Sequence, residues 1–457
     1  MRDREDECAW AFRSMFLAQR VTEITDWQFS GNLPSGNFTE WRFVERGEHA
    51  IFASSRVRSF SFFVILAGVV AIMAHTAMPT PIYSIYSKEF GLTTLQVTEV
   101  YAIYALGVIA ALVAFNSLSN TTGRRPLLMI GLICSVASNL VFLNASSIAF
   151  LFAARLLTGL AAGIFMGTAT VAAVEVAPQG IAQHSAVWAT AANIFGLGLG
   201  PVIGGLGTQF LDRPQDDLFL GHLAVIAVLV VLLLMTREPL ARSDRVPFSW
   251  KGPKPPSGNR LTYAGLTMVG VSGMATLGML AGLTPHFLSS FSPHASGLAA
   301  GLVVGCGFGG SALAQFAFRR LTITRGLVSG VCVMSLGLLV LIAAIFFGSR
   351  VLYACAALLA GLGQGLSIAR SIQEISLKTS LSERVSAVNL FYVALYTGAA
   401  VPVIGLAFIE KSFGLTTAGL AFCLFALAFA AIGVLQLIRA GMWRKEPAVE
   451  LSEAVKT

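Results

Sequence analysis

Twelve stretches of this chain are apolar for long enough to cross a bilayer, and that pattern constrains the fold more than any other feature. A hydrocarbon core of about 30 Å takes roughly 20 helical residues. The runs at 60–81, 95–117, 126–145, 148–176, 186–209, 218–236, 262–285, 297–318, 326–347, 350–373, 386–409 and 416–438 meet that need. Apolar residues follow one another without the alternation of a barrel strand, so each run is read as a helix. With 55% hydrophobic and 12% charged residues, and a mean hydropathy of +0.75, there is too little charge to cover a water-facing surface. The sequence describes an all-α membrane protein with twelve transmembrane helices.

The net charge of +8 raises the question of a nucleic-acid partner, and its distribution answers it. If the first span runs outward, Arg124, Arg125, Arg237, Arg319, Arg320, Lys378 and the basic tail fall on the inner side, while the outer loops carry only Lys88, Arg213, Arg350 and Lys411. This is the positive-inside bias, so the basicity sets topology and no nucleic acid is implied. Both termini are expected in the cytoplasm, with the bacterial inner (plasma) membrane as the setting. Five cysteines lie in spans and Cys8 in the N-terminal segment, with neither pairing nor metal spacing. Residues 1–58 are charged and carry no signal-peptide core; they are read as a cytoplasmic extension or an upstream translation start.

The chain repeats itself. LLTGLAAGI at 156–164 returns as LLAGLGQGL at 358–366, an offset of 202. PVIG at 201–204 returns at 402–405, and Thr80-Pro81, expected to end the first span, returns as Thr284-Pro285 at the expected end of the seventh. Each match joins a span to the one six places later, which predicts two pseudo-symmetric six-helix bundles at 59–236 and 262–442. A proline-, glycine- and lysine-bearing linker at 237–261 separates them, and a tail follows at 443–457.

Glycine and proline are poor helix residues in water, yet the fifth span contains GLGLGPVIGG, with Gly196, Gly200, Pro201, Gly204 and Gly205. Glycines four apart let helices in lipid approach closely, and the proline bends the helix. The loop NSLSNTTGRRPLL at 116–128 holds Leu118, Asn120, Gly123, Arg124 and Arg125; the fourth span holds Arg155, Gly159 and Gly163 and ends near Glu175 and Pro178. These features resemble the major facilitator superfamily over residues 59–442, and in particular its proton-coupled drug and sugar efflux antiporters. The resemblance implies two bundles rocking about a midplane site, with the fifth-helix pattern marking antiporters. It also implies a gating role for the loop and for Glu175. Asn116 and Asn120 depart from the family's glycine and acidic residue, so the loop lacks the charge that joins the family's inner latch.

An arginine inside a membrane helix is a functional candidate unless backbone carbonyls satisfy it, and both readings stand for Arg155. His75, Glu99 and Arg155 lie about 9, 6 and 10.5 Å from the outer ends of their spans at 1.5 Å per residue, so all three can share one layer. One reading makes His75 or Glu99 the carrier of an exchanged proton released by Arg155; the other makes Glu99–Arg155 a fixed ion pair and His75 an uncharged ring bonded to a carbonyl. Arg370 and Glu374, four apart on one helical face, are expected to pair near the surface. GCGFGG at 305–310 lacks the strand–helix context of a dinucleotide loop, and no P-loop occurs. His286 and His294 have no partners at metal spacing. No cofactor, no metal and no enzymatic activity are expected. The expected partners are protons, a small organic molecule and the lipid bilayer around a monomer. A symporter of the same fold and a non-transporting membrane sensor are the alternatives.

Overall fold

The computed structural model describes residues 55–115, 118–178, 180–182, 185–236, 238–239, 252, 254–292 and 296–442. The extension expected at 1–58 therefore lies almost wholly outside the described residues, as do most of the linker, His294 and the C-terminal tail. The spanning helices are α1 (Ser55–Ala77), α2 (Thr94–Ala114), α3 (Arg124–Leu143), α4 (Ile148–Val176), α5 (Ser185–Phe210), α6 (Pro214–Met235), α7 (Arg260–Phe291), α8 (Gly297–Ala317), α9 (Ile323–Phe347) and α10 (Arg350–Lys378). The last helical stretch, Leu381–Arg439, would be about 90 Å long if straight, far more than one crossing needs. It breaks at Gly414, whose φ of 83° suits glycine alone, giving α11 (381–413) and α12 (415–439).

Local signals explain the ends. Thr93 and Gln96 form a reciprocal capping box at the start of α2, and Ser296, Thr322 and Ser349 accept backbone N–H bonds at the starts of α8, α9 and α10. The repeated Thr-Pro pairs do not behave alike, which corrects the expectation that each ends its span. α1 stops at Ala77 and turns into a short helix, Tyr83–Phe90, whereas α7 runs through Pro285 to Phe291. The first copy reads Pro79-Thr80-Pro81, so two backbone donors are missing within three residues; in the second copy Leu283 replaces the earlier proline. One missing donor is tolerated inside a helix where two are not.

The helices form two bundles of six. In the first, α1 packs on α4, α5 and α6, α2 on α4, and α3 on α4 and α6. In the second, α7 packs on α10 and the α11–α12 stretch, α8 on α10, and α9 on α10. The halves meet along α5–α8 and along α2–α11. The repeat is also a repeat of packing. A methyl added at Gly159 or Gly163 of α4 would strike the carbonyls of Tyr104 or Val108 on α2; at Gly361 or Gly365 of α10 it would strike those of Gly307 or Ser311 on α8. Central α7 is mostly buried, while peripheral α6 turns Val225, Val228 and Val231 outward as hydrocarbon-facing surface.

Candidate functional site

The glycine-rich helix α5 has two working faces. Gly196, Gly200 and Gly204 lie against α1: a Cβ at Gly196 would meet Val70 and Met73, at Gly200 the backbone of Ala74 and Met78, and at Gly204 the Met78 carbonyl. On another face, Gly205 meets the backbone of Gly297 and Leu298, the Pro201 carbonyl lies against Gly301, and Gly198 lies against Phe308 and Gly309. Gly301, Gly305 and Gly310 of α8 thus serve packing, and GCGFGG lies wholly within that helix. One helix packs on its own half with one stripe and on the other half with the next. The seam continues to the arginine-bearing end, where Trp188 meets Phe316 edge-on at 5.4 Å between ring centroids.

Arg155 of α4 is fully buried and reaches two other helices. Nη1 donates to the Thr76 carbonyl of α1 and Nη2 to the Tyr101 carbonyl of α2 at 3.3 Å. Its guanidinium carbon sits 4.6 Å from the centroid of the Tyr104 ring, a cation–π distance. No ion pair joins it to Glu99, which is half-buried on α2, so the fixed-pair alternative is not what the structure contains. Next to Thr76, His75 is buried and stacked on His222 of α6, with ring centroids 4.3 Å apart and planes 19° apart. Ser135 Oγ lies 3.4 Å from His75 Nδ1; Asn139 Nδ2 lies 3.0 Å from His222 Nδ1, and His222 Nε2 lies 3.2 Å from the Ala71 carbonyl. Because a carbonyl only accepts, that nitrogen carries the proton. His75 and Arg155 are therefore brought together through adjacent residues of α1, and Glu99 is left apart.

Among the described residues, spaces of different character open around this core. Between the halves, Met166, Thr170, Asn193, Met274, Gln315, Gln364, Tyr392 and Tyr396 surround a cavity of about 40 Å³, room for a water or two. Its lining mixes amides, hydroxyls and apolar groups and holds no charge; Ser311 of α8 donates to Gln364 Oε1 beside it. Toward the end away from Arg124 and Arg125 lies a vestibule of about 410 Å³. Tyrosines stand between the two. Tyr396 lines the central cavity and meets Tyr104 edge-on at 6.1 Å, while Tyr101 lies against Gly282, which lines the vestibule. The third space, about 650 Å³, is a perimeter groove between α7, α11 and α12. Its walls are almost wholly apolar and face outward, which suits acyl chains better than a dissolved solute.

The family model described as Major Facilitator Superfamily matches residues 64–401. The chain belongs to that superfamily. Among its relatives, the quinolone resistance protein NorA of Staphylococcus aureus (strain Mu50 / ATCC 700699) is 24% identical over 176 residues, 38% of this chain and 43% of NorA. The match thus spans less than half the length of that relative. The crystal structure of a D-xylose–proton symporter superposes with a TM-score of 0.69 at 14% identity, covering 85% of this chain and 98% of that one. An inward-facing bacterial homologue of the lysosomal transporter Spinster gives 0.66 at 14% identity, with 85% and 99% covered. At such identities the structures show the shared fold alone.

Two carboxylates, Glu175 and Glu238, meet the Arg124-Arg125 end of the loop that carries the family resemblance. Gly123, at φ 106°, turns the chain from a short helix, Leu118–Thr122, into α3; Asn116 and the side chain of Asn120 lie outside the described residues. Arg124 pairs with Glu175 at the end of α4 at 2.9 Å. Glu238, just beyond α6, accepts from the backbone N–H groups of Arg124 and Arg125 at 2.7 and 2.9 Å, and the Arg125 guanidinium donates to the Leu234 carbonyl at 2.6 Å. A carboxylate at a helix N-terminus meets free donors and the positive end of the helix dipole. The network ties α3, α4 and α6 of one half together. In the other half, Arg370 does not pair with Glu374. It donates to Gln373 Oε1 and to the Phe318 carbonyl at the end of α8, both at 2.7 Å, and Glu374 pairs with Lys378 at 2.7 Å. α10 continues to Lys378, past the expected end at 373, and so supplies a nearer cation four residues on.

Sequence reasoning passed over Glu238, His222, Asn139 and the tyrosines. His222 carried a usable signal, being an ionisable residue within a span. Tyr101 and Tyr104 share a helical face by spacing, but spacing does not say which face meets the other half.

Proposed function

We propose that this chain is a proton-coupled antiporter that exports a small, uncharged or amphiphilic organic molecule by alternating access. In this reading the end bearing Arg124 and Arg125 faces the cytoplasm of a bacterial cell and the protein works as a monomer. The observation that carries the reading is the two-faced helix α5, whose glycines bind it tightly to α1 while Pro201 and Gly205 run along α8. Such a seam lets one bundle rock as a body against the other without opening a gap. The antiporter-type pattern of α5 and the likeness to NorA support export. The uncharged central lining supports a substrate held by stacking, amides and hydroxyls. His75 and Glu99 are the candidates for the exchanged proton, with Arg155 as the fixed charge between α1, α2 and α4.

The amide-rich part of that lining, Asn193, Gln315 and Gln364, also suits a sugar, and sugar–proton symport is the second reading. Everted membrane vesicles with an imposed pH gradient, acid inside, separate the two. Antiport predicts accumulation of a labelled quinolone that collapses when the gradient is discharged. Accumulation of neither a labelled quinolone nor a labelled pentose, in either gradient direction, would overturn the transporter reading for these substrate classes.

A further inference from the structure

The vestibule between the two halves is chemically unlike the central cavity. Its N-terminal wall is Thr80, Pro81, Tyr83, Ser84, Ser87 and Lys88, and its C-terminal wall comes from the end of α7 and the start of α8, including Pro285, His286, Ser289 and Ser296. The two Thr-Pro repeats thus face one another across it, and the residues that follow them have diverged. Where the second copy has Phe287 packed in the core, the first has Tyr83. The Tyr83 hydroxyl is buried, its residue lines the cavity, and it has no hydrogen-bond partner among the described residues; the residue is 4% exposed. Burial pushes its phenol up to about 12, so it remains a neutral O–H donor, and the Arg155 guanidinium behind it adds positive field. Nδ1 of His286 is likewise buried and unpartnered. Lys88 stands exposed at the rim and is in no ion pair among the described residues. Its neighbour Glu89 is turned toward Gln215 of α6, 3.4 Å away, and no carboxylate is among the described lining residues.

We infer that this vestibule is a second substrate station that binds the carboxylate of an amphiphilic organic anion, with Lys88 as the counter-charge and the hydroxyls of Tyr83, Ser87 and Ser296 as donors, those of Ser84 and Ser289 being spent on the Pro81 and His286 carbonyls. The volume of about 410 Å³ lies within the range of small-molecule sites. An unmet buried donor is costly, so a ligand acceptor that reaches Tyr83 gains a bond the empty site lacks. A station with charge, beyond a central cavity without it, gives carboxylate-bearing substrates a hold on the far side of the tyrosine layer that neutral ones do not have. This rests on the reading that substrate passes between the halves.

The test is binding, not flux, so it stands apart from the transport assay. The purified full chain in nanodiscs of phosphatidylcholine is titrated with pyrenebutyrate and with pyrenebutanol, which share an apolar body and differ in the carboxylate. The wild type should bind pyrenebutyrate about tenfold more tightly than the alcohol, and Lys88→Gln, an exposed change that leaves the fold alone, should remove most of that difference. Tyr83→Phe should weaken the anion and leave the alcohol within about twofold. Equal binding of the two probes, or an anion preference untouched by Lys88→Gln, would overturn the proposal. So would loss of pyrenebutyrate binding when phosphatidylglycerol is added to the disc, since the site would then hold a lipid phosphate.

Discussion

Arg155 in α4 and Ala357 in α10 stand at matching places in the internal repeat, each directly before the Leu-Leu that opens LLTGLAAGI and LLAGLGQGL. The glycines that follow do the same job in both halves, letting α4 close on α2 and α10 close on α8. The polar groups do not. The first half buries a guanidinium, a stacked histidine pair and an Arg124–Glu175–Glu238 network; the second has alanine where Arg155 stands, Gln364 hydrogen-bonded to Ser311 two turns further on, and a buried Arg370 that donates to Gln373 and the Phe318 carbonyl. A close backbone contact admits only glycine, so both copies keep it. A polar position needs only a satisfied partner, so the copies are free to differ. On the function proposed above, the buried charge at the Arg155 position belongs to the first half alone, while both halves line the central cavity.

The sharpest way to break this comparison uses the two copies of PVIG. Gly204 lies against the Met78 carbonyl, whereas its counterpart Gly405 has open space around it. Gly204→Leu should reduce transport to roughly a hundredth of wild type by forcing α5 from α1, while Gly405→Leu should stay within about twofold. Expression and flux measured on the two variants side by side would decide it, and equal loss would mean the two seams work alike. Next in size, Arg155→Gln removes the charge that binds α4 to α1 and α2. It should cut transport at least tenfold and lower the thermal midpoint, with a loss of about 1.5–3 kcal/mol as for hydrogen bonds made by a charged group. Gln364→Leu in the other half should cost only about 1 kcal/mol and change which substrates are carried more than the coupling.

A smaller and more selective effect is expected at the proton. His75→Gln and Glu99→Gln should be compared in downhill exchange, which needs no coupling, and in pH-driven accumulation, which does. The coupling residue loses about tenfold or more of the second and keeps the first. Full pH-driven transport by both variants would move the proton to another group, with Glu175 the next to test. His222→Phe keeps the stack but removes the bonds to the Ala71 carbonyl and to Asn139, and a drop in thermal stability of about 1–2 kcal/mol with coupling intact would make the pair a structural pin.

What could be read from the sequence divides along the same physical line. The spans, the repeat and the role of the fifth-helix glycines follow from length and spacing, which lipid enforces locally. GLGLGPVIGG is a packing surface before any neighbour is known, although only the structure shows that Gly204 and Gly205 face different halves. Side-chain partnerships were less legible. Depth along a span placed Glu99 level with Arg155, but depth says nothing about rotation, and two backbone carbonyls hold the guanidinium instead. Arg370 and Glu374 were matched by spacing on one helix, while the true partners sit at the end of α8 and one turn on. Glu238 reaches the amides of Arg124 and Arg125 across more than a hundred residues of chain, which no local pattern encodes.

The two halves also differ at the arginine-bearing end, and there the expected effects are smallest. Arg124–Glu175 is largely screened from solvent and linked through Glu238 to α6, so Arg124→Gln strands a partly buried carboxylate among three helices. A loss of about 1–2 kcal/mol follows, visible as a lower thermal midpoint of the purified protein. Glu374–Lys378 lies within one helix, and its lysine is 42% exposed. It competes with water for the ammonium and holds no second element in place. Lys378→Gln should therefore shift stability by no more than about 0.5 kcal/mol, and less at high salt, because an exposed i,i+4 pair is weak and screened. Equal shifts for the two variants would show that the first-half network is no more than a surface pair. A salt-insensitive loss at Lys378 alone would place the stronger latch in the second half.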